Sequence, residues 1–344
     1  MIEGGLEDNL NVVNTSGTLN RLTITGSTFG FNNTTNGNNS ILLESQNAGT
    51  TLNFTIQGST IKGARADWLN ASNNSGSTMD ALIGGPNVAD ANTFDNLGVN
   101  AHPGAAAGGN RVVLGAGGVQ TVDIRNNTLR GSKGDAIRVR STLTGATTGT
   151  VNARVRGNTI GIPGTANSGS SESFGIFAFG DGGSRMTIAI TNNNVHQYNN
   201  HGISLTFGDE LVNGSVFDAT VTGNTVSNPG NINADFNAVH LNNGTVLATD
   251  DFTSCADIGG AGVQNSVAGG GQGTIAPNNS DIRLRQRQAT TVRLPGYGGA
   301  NNNDAAVVTY LTGRNTLTTA AASNTVPTGG GFTGGAQCTQ PSFP

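Results

Sequence analysis

One pattern recurs along this chain and limits what it can become: apolar, polar, apolar, polar, then Gly or Asn, two polar residues and a closing apolar one. It stands at LTITGSTF (22–29), FTIQGSTI (54–61), VDIRNNTL (122–129), ARVRGNTI (153–160), IAITNNNV (188–195) and ATVTGNTV (219–226), and ANTF (91–94) keeps its second half. The closing residues Phe29, Ile61, Phe94, Leu129, Ile160, Val195 and Val226 follow one another at intervals of 31 to 35 residues. A repeat of that length is one supersecondary unit, which buries its apolar side only by stacking on its neighbours.

Each position has a physical role. Leu22 and Ile24, Phe54 and Ile56, Val122 and Ile124, Ala153 and Val155, Ile188 and Ile190, and Ala219 and Val221 alternate with polar residues, which predicts strands with one buried face. The fifth position is Gly26, Gly58, Asn126, Gly157, Asn192 or Gly223. These two residue types enter the left-handed backbone region at least cost, so a sharp bend should follow each strand. A further strand signal stands at DAIRVR (135–140), FGIFAF (174–179), HGISLT (201–206) and NAVHLN (237–242). About three short strands per period, recurring in register, set each strand on its predecessor and leave no room for hairpins. Asn127, Asn158, Asn193 and Asn224 should then hydrogen-bond to their own images one coil away, followed by a column of Thr128, Thr159, Asn194 and Thr225.

The motif, with the [GA]-apolar-x-apolar step after it, resembles the right-handed parallel β-helix family, the pectate-lyase-like fold, over roughly residues 10–300. The resemblance implies an all-β protein: a right-handed parallel β-helix solenoid over residues 1–300 in about nine coils of 31–35 residues, ~43 Å long at ~4.8 Å per coil. Residues 301–344 are expected to be a cap or linker, with a short helix near 305–315 and an irregular Gly/Thr-rich tail. The stretch 255–300 and that tail also resemble the last coil and linker of bacterial extracellular β-strand-repeat and adhesin-type surface proteins.

Composition agrees with stacking. Gly accounts for 53 of 344 residues and charged residues for 11%, which is a poor recipe for helices, and the glycines lack the three-residue period of collagen. A net charge of −4 with 17 basic residues argues against a nucleic-acid partner. No apolar run approaches the ~18 residues of a membrane span. The opening residues lack the features of a signal peptide, while scarce lysine (Lys62 and Lys133) and abundant Asn and Thr suit an extracellular bacterial protein. The chain is therefore expected to be a piece of a longer bacterial surface or secreted protein whose signal and anchor lie elsewhere. Cys255 and Cys338 are either two separate thiols or a disulfide that pins the tail.

The resemblance also raises carbohydrate chemistry. His201-Gly202 matches one part of a polygalacturonase-like set, but Asp181 stands alone where paired aspartates belong and no Arg-x-Lys step follows, so His201 is expected to be a turn residue. A pectate-lyase-like site would need an aspartate cluster for calcium; Asp250-Asp251 and Asp209-Glu210 could hold Ca²⁺, and no other cofactor is expected. Outward positions gather arginines instead. Asp123 lies one coil from Arg154, Arg125 one coil from Arg156, and Phe177 and Phe179 stack over Arg138 and Arg140. Arg125, Arg138, Arg140, Arg154, Arg156, Phe177 and Phe179 thus make either a surface salt-bridge ladder or a basic, aromatic-edged face for an acidic glycan. The expected function is an extracellular structural or adhesive module without catalytic activity, partnered by polysaccharide or other surface proteins. The alternatives are a polysaccharide lyase or hydrolase working at that face, and a filament subunit that self-associates end to end through open strand edges.

Overall fold

The structure, a computed structural model, describes residues 1–143, 149–208, 214–230, 235–246, 249–325 and 330–343. Asp209 and Glu210 lie outside these. Among the described residues the strands fall into three sheets of ten, ten and seven, and the paired strands run parallel. Each regular period gives one strand to each sheet. Ile137–Arg140 lies in the first sheet, Thr150–Arg156 in the second and Thr159–Ile160 in the third, and Ile176–Gly180 then returns to the first, one coil on. This is a parallel β-helix.

Like positions pair with like, so columns of one chemistry run the length of the stack. Ile56, Ile83, Ile124, Val155, Ile190, Val221 and Ile258 pair in succession and all are buried. A slip of one residue would turn every such column outward, so burial itself fixes the register. The bend positions behave as their chemistry requires: Asn126 and Asn192 have φ of 58° and 56°, and Gly157 and Gly223 have 66° and 68°.

The asparagine column is longer than the full motif implies. Among the described residues Asn92, Asn127, Asn158, Asn193, Asn224, Asn265 and Asn315 stack, each Nδ2 donating to the next Oδ1 at 2.8–3.0 Å. The other amide hydrogen goes to a backbone carbonyl of the coil before, as from Asn158 to Ile124 at 3.0 Å. The backbone N–H joins in, Asn127 donating to Asn158 Oδ1 at 3.0 Å. All seven side chains are buried, and a buried amide is tolerated only when its donors and acceptor are paired. Asn265-Ser266-Val267 and Asn315-Thr316-Leu317 repeat the half-motif Asn92-Thr93-Phe94, and parallel bridges from Thr225 to Ser266 to Thr316 carry the column past the last strand of the third sheet.

The C-terminal part departs from expectation. Helix α1 (Asp304–Arg314) forms where a helix was expected, capped by Asn303 Oδ1, which accepts from the Ala306 N–H at 3.0 Å. Among the described residues no helix is long and apolar enough to cross a membrane. The segment beyond α1 is not a bare linker: Ala320–Ser323 pairs with Ile282–Gln286, and Gly331–Thr333 pairs with Thr291–Arg293. The β-helix therefore runs past residue 300 and, among the described residues, stacks ten strands in each of two sheets, one coil more than expected. Alanines and glycines carry no strand periodicity of their own; here the open edge of the preceding coil supplies the pairing groups, and Phe332 fills the core beneath them. Cys255 and Cys338 form a disulfide.

Candidate functional site

The seven candidate residues do not share one face. Arg125, Arg154 and Arg156 project outward from the second sheet, whereas Arg138, Arg140, Phe177 and Phe179 project from the first. Alternation alone gives in or out, and which sheet a strand joins depends on the bends between strands. The single face expected from the sequence is thus two.

On the first sheet the stacking order is the expected one. Phe177 and Phe179 pair with Arg138 and Arg140 below and with Ser204 and Thr206 above. Phe174 extends the aromatic surface, its ring centroid 4.7 Å from that of Phe177, which is 5.9 Å from Phe179. Arg138 lies against Phe177, 5.5 Å from the ring centroid, and is ion-paired to the buried Asp135. Asp135 also accepts from the Ser173 hydroxyl. Arg140 makes no ion pair among the described residues; burial, then the neighbouring Arg138 and Arg111, draw its pKa below the ordinary arginine value. Beyond Thr206 the column continues through Asn242 to Arg285, likewise without an ion pair among the described residues. Arg140 and Arg285 thus bracket the shelf, four strand spacings or ~19 Å apart.

His201 sits beside this shelf as a half-buried neutral ring. It stacks on Phe174 at 5.6 Å and lies 4.2 Å from the His240 ring, and its Nδ1 accepts from the Asn237 N–H at 3.0 Å. Burial, then the charge of Arg283, pulls its pKa down to about 3. Burial likewise lowers His240, helped by His201, Arg283, Arg285 and Arg287.

The second-sheet residues line a groove of about 610 Å³. Asp123 pairs with Arg154 in the ladder, as the spacing predicts, yet its carboxylate is taken by Arg156, which donates from Nε at 3.2 Å and Nη2 at 2.9 Å, with Arg125 at 3.6 Å. Arg154 instead lies 3.5 Å above the centroid of the Phe343 ring. Arg21, displaced by a register shift between Leu19 and Leu22, reaches Thr55 Oγ1 at 2.9 Å and the Asp80 carboxylate. Four arginines thereby face two aspartates. The bulge at Arg21 and the return of Phe343 from the tail were not legible in the motif.

Of the remaining acidic candidates, Asp251 is exposed and Asp250 has a structural partner. Asp250 is buried and its carboxylate accepts from the Thr245 backbone N–H, closing its own loop. Among the described residues, the grouping of metal-capable side chains is Asp218 with Cys255 and Cys338; its sulfurs are bonded to each other and Asp218 is paired with Arg293 at 3.5 Å. These groups do not fit a metal. Compared with family models, curated proteins and solved structures, the chain matches none.

Proposed function

We propose that this chain is an extracellular adhesive module, a stiff β-helix that holds an acidic polysaccharide along its first-sheet face without chemically altering it. The observation that carries this reading is the shelf itself: three contiguous phenylalanine rings between Arg140 and Arg285, neither of which has an ion pair among the described residues. Phenyl faces accept the C–H face of a sugar ring, and guanidinium groups bind carboxylates in a planar fork. Among the described residues, Asp135 and Asp67 beside these arginines are buried in ion pairs with Arg138 and Arg111, which favours holding a glycan over cleaving it, since glycoside hydrolysis needs two free carboxyl groups across the bond.

Titration calorimetry against uronate polymers, with calcium present and absent, tests the reading. Binding should weaken with salt, and Arg140→Ala and Arg285→Ala should each weaken it about tenfold, the loss of one charge-assisted contact. Absence of binding to every acidic glycan tried, or the appearance of ultraviolet-absorbing unsaturated products, would overturn it.

A further inference from the structure

The second-sheet groove is lined at one end by the chain's own tail. Cys338 is tied to Cys255, Gln340 Nε2 donates to Thr220 Oγ1 at 2.7 Å, and Phe343 lies under Arg154. Thr220, Ala189 and Arg154 are consecutive members of one outward column. The tail thus descends the stack from coil to coil, across the strands. Thr220 and Ala189 point away from the core and are nevertheless only 8% exposed, Ala189 lying between inward Ile188 and Ile190. An extended polypeptide passing over them accounts for that burial.

The same column continues beyond Phe343 through Asp123, Leu82 and Thr55, and these residues line the groove of about 610 Å³. The tail therefore leads into a groove that continues along the same column. Its walls carry four arginines against two aspartates, in a protein of net charge −4. The excess positive charge is local and favours an anionic occupant. Arg154 has an aromatic contact and no ion pair among the described residues.

We infer that the open half of this groove binds an extended, acidic polypeptide segment of a partner chain, laid across the coils in line with the Cys338–Phe343 segment. From Arg154 to Thr55 the groove crosses three strand spacings, ~14 Å, the length of about four extended residues. The class of occupant follows from the segment already present: a polypeptide lies on this face through a side-chain hydrogen bond and a ring beneath a guanidinium, and the vacant part adds charge. The site is separate from the first-sheet shelf, so either can fail without the other.

The test uses the whole chain with its disulfide intact and three fluorescent probes: a glutamate-rich hexapeptide, a lysine-rich hexapeptide and an oligogalacturonate of similar length. Fluorescence anisotropy should show the glutamate-rich peptide binding, more weakly at higher salt, and the lysine-rich peptide not binding. Arg154→Ala should weaken the acidic peptide tenfold or more, and Leu82→Trp, which fills the channel floor, should abolish it; circular dichroism confirms that both variants fold. Absence of peptide binding overturns the inference. Binding indifferent to both substitutions also overturns it. If the oligogalacturonate binds as well as the acidic peptide and is lost with Arg154→Ala, the groove is a glycan site and the peptide assignment is wrong.

Discussion

Two kinds of asparagine do different work within a few residues of each other. Asn192 supplies backbone conformation, its φ being 56°, while Asn193 next to it supplies hydrogen bonds to Asn224 and Val155. The two roles separate under substitution. Asn192→Gly should leave stability nearly unchanged, whereas Asn192→Val should cost about 1–2 kcal/mol, because a β-branched residue is strained in the left-handed region. Asn158→Ala should cost more, about 3 kcal/mol, since it strips partners from the buried Asn127 amide and the Ile124 carbonyl. Chemical unfolding of the three variants side by side checks the ranking; a harmless Asn192→Val would refute the conformational role. Gly157 adds a packing reason to the conformational one, because a Cβ there would lie 2.3 Å from Asn126 Oδ1. Such positions announce themselves in sequence, since few residue types satisfy them.

At the scale of elements, strands and bends were legible and their sheet membership was not. The motif gives the alternation of Ala153–Arg156 and the bend at Gly157, and the structure agrees in register to the residue. It could not assign Phe177 and Arg154 to different sheets, because in and out are properties of one strand and a face is a property of the coil's cross-section. Nor could it foresee the tenth coil, whose alanines take their conformation from the edge they join. The tail is the element that most invites perturbation. Replacing Cys255 and Cys338 by Ser should leave the strand content intact and make residues beyond Thr333 the first to be cut by protease, with a stability loss of at most about 4.5 kcal/mol from the 83-residue separation the bond closes. Early cleavage within the coils would show that the bond holds more than the tail. The stacked histidines His201 and His240 make a second element-scale prediction. The unfolded chain protonates His201 near pH 6.5, while the folded chain resists until about pH 3. The unfolded state therefore binds more protons between these values, and stability should fall as pH falls through that window, by up to about 1.4 kcal/mol per pH unit for this group. His201→Gln, whose side-chain oxygen can still accept from Asn237, should flatten the dependence; an unchanged slope would assign it to other groups.

For the molecule as a whole, the periodicity makes length an adjustable quantity. A second copy of residues 158–192 inserted after Asn192 begins and ends at the same point of the coil, so it should add one coil and lengthen the rod by ~4.8 Å. Small-angle scattering reads the change directly, and an unfolded or aggregated product would mean that the coils depend on contacts beyond their neighbours. The asparagine column has one more consequence at this scale. All seven Oδ1 atoms accept from the coil before, from Ser59 N–H at Asn92 through Asn265 Nδ2 at Asn315, so their carbonyls all face the N-terminal end. Backbone pairs in the sheets alternate in direction and largely cancel, but these amides add head to tail and polarise one another. The column is consequently an electric dipole, negative at Asn92 and positive at Asn315. At that positive end Asn315 Nδ2 donates to the Leu311 carbonyl at 3.0 Å, in the last turn of α1, where a helix gathers its own partial negative charge. The helix thus closes the column electrically.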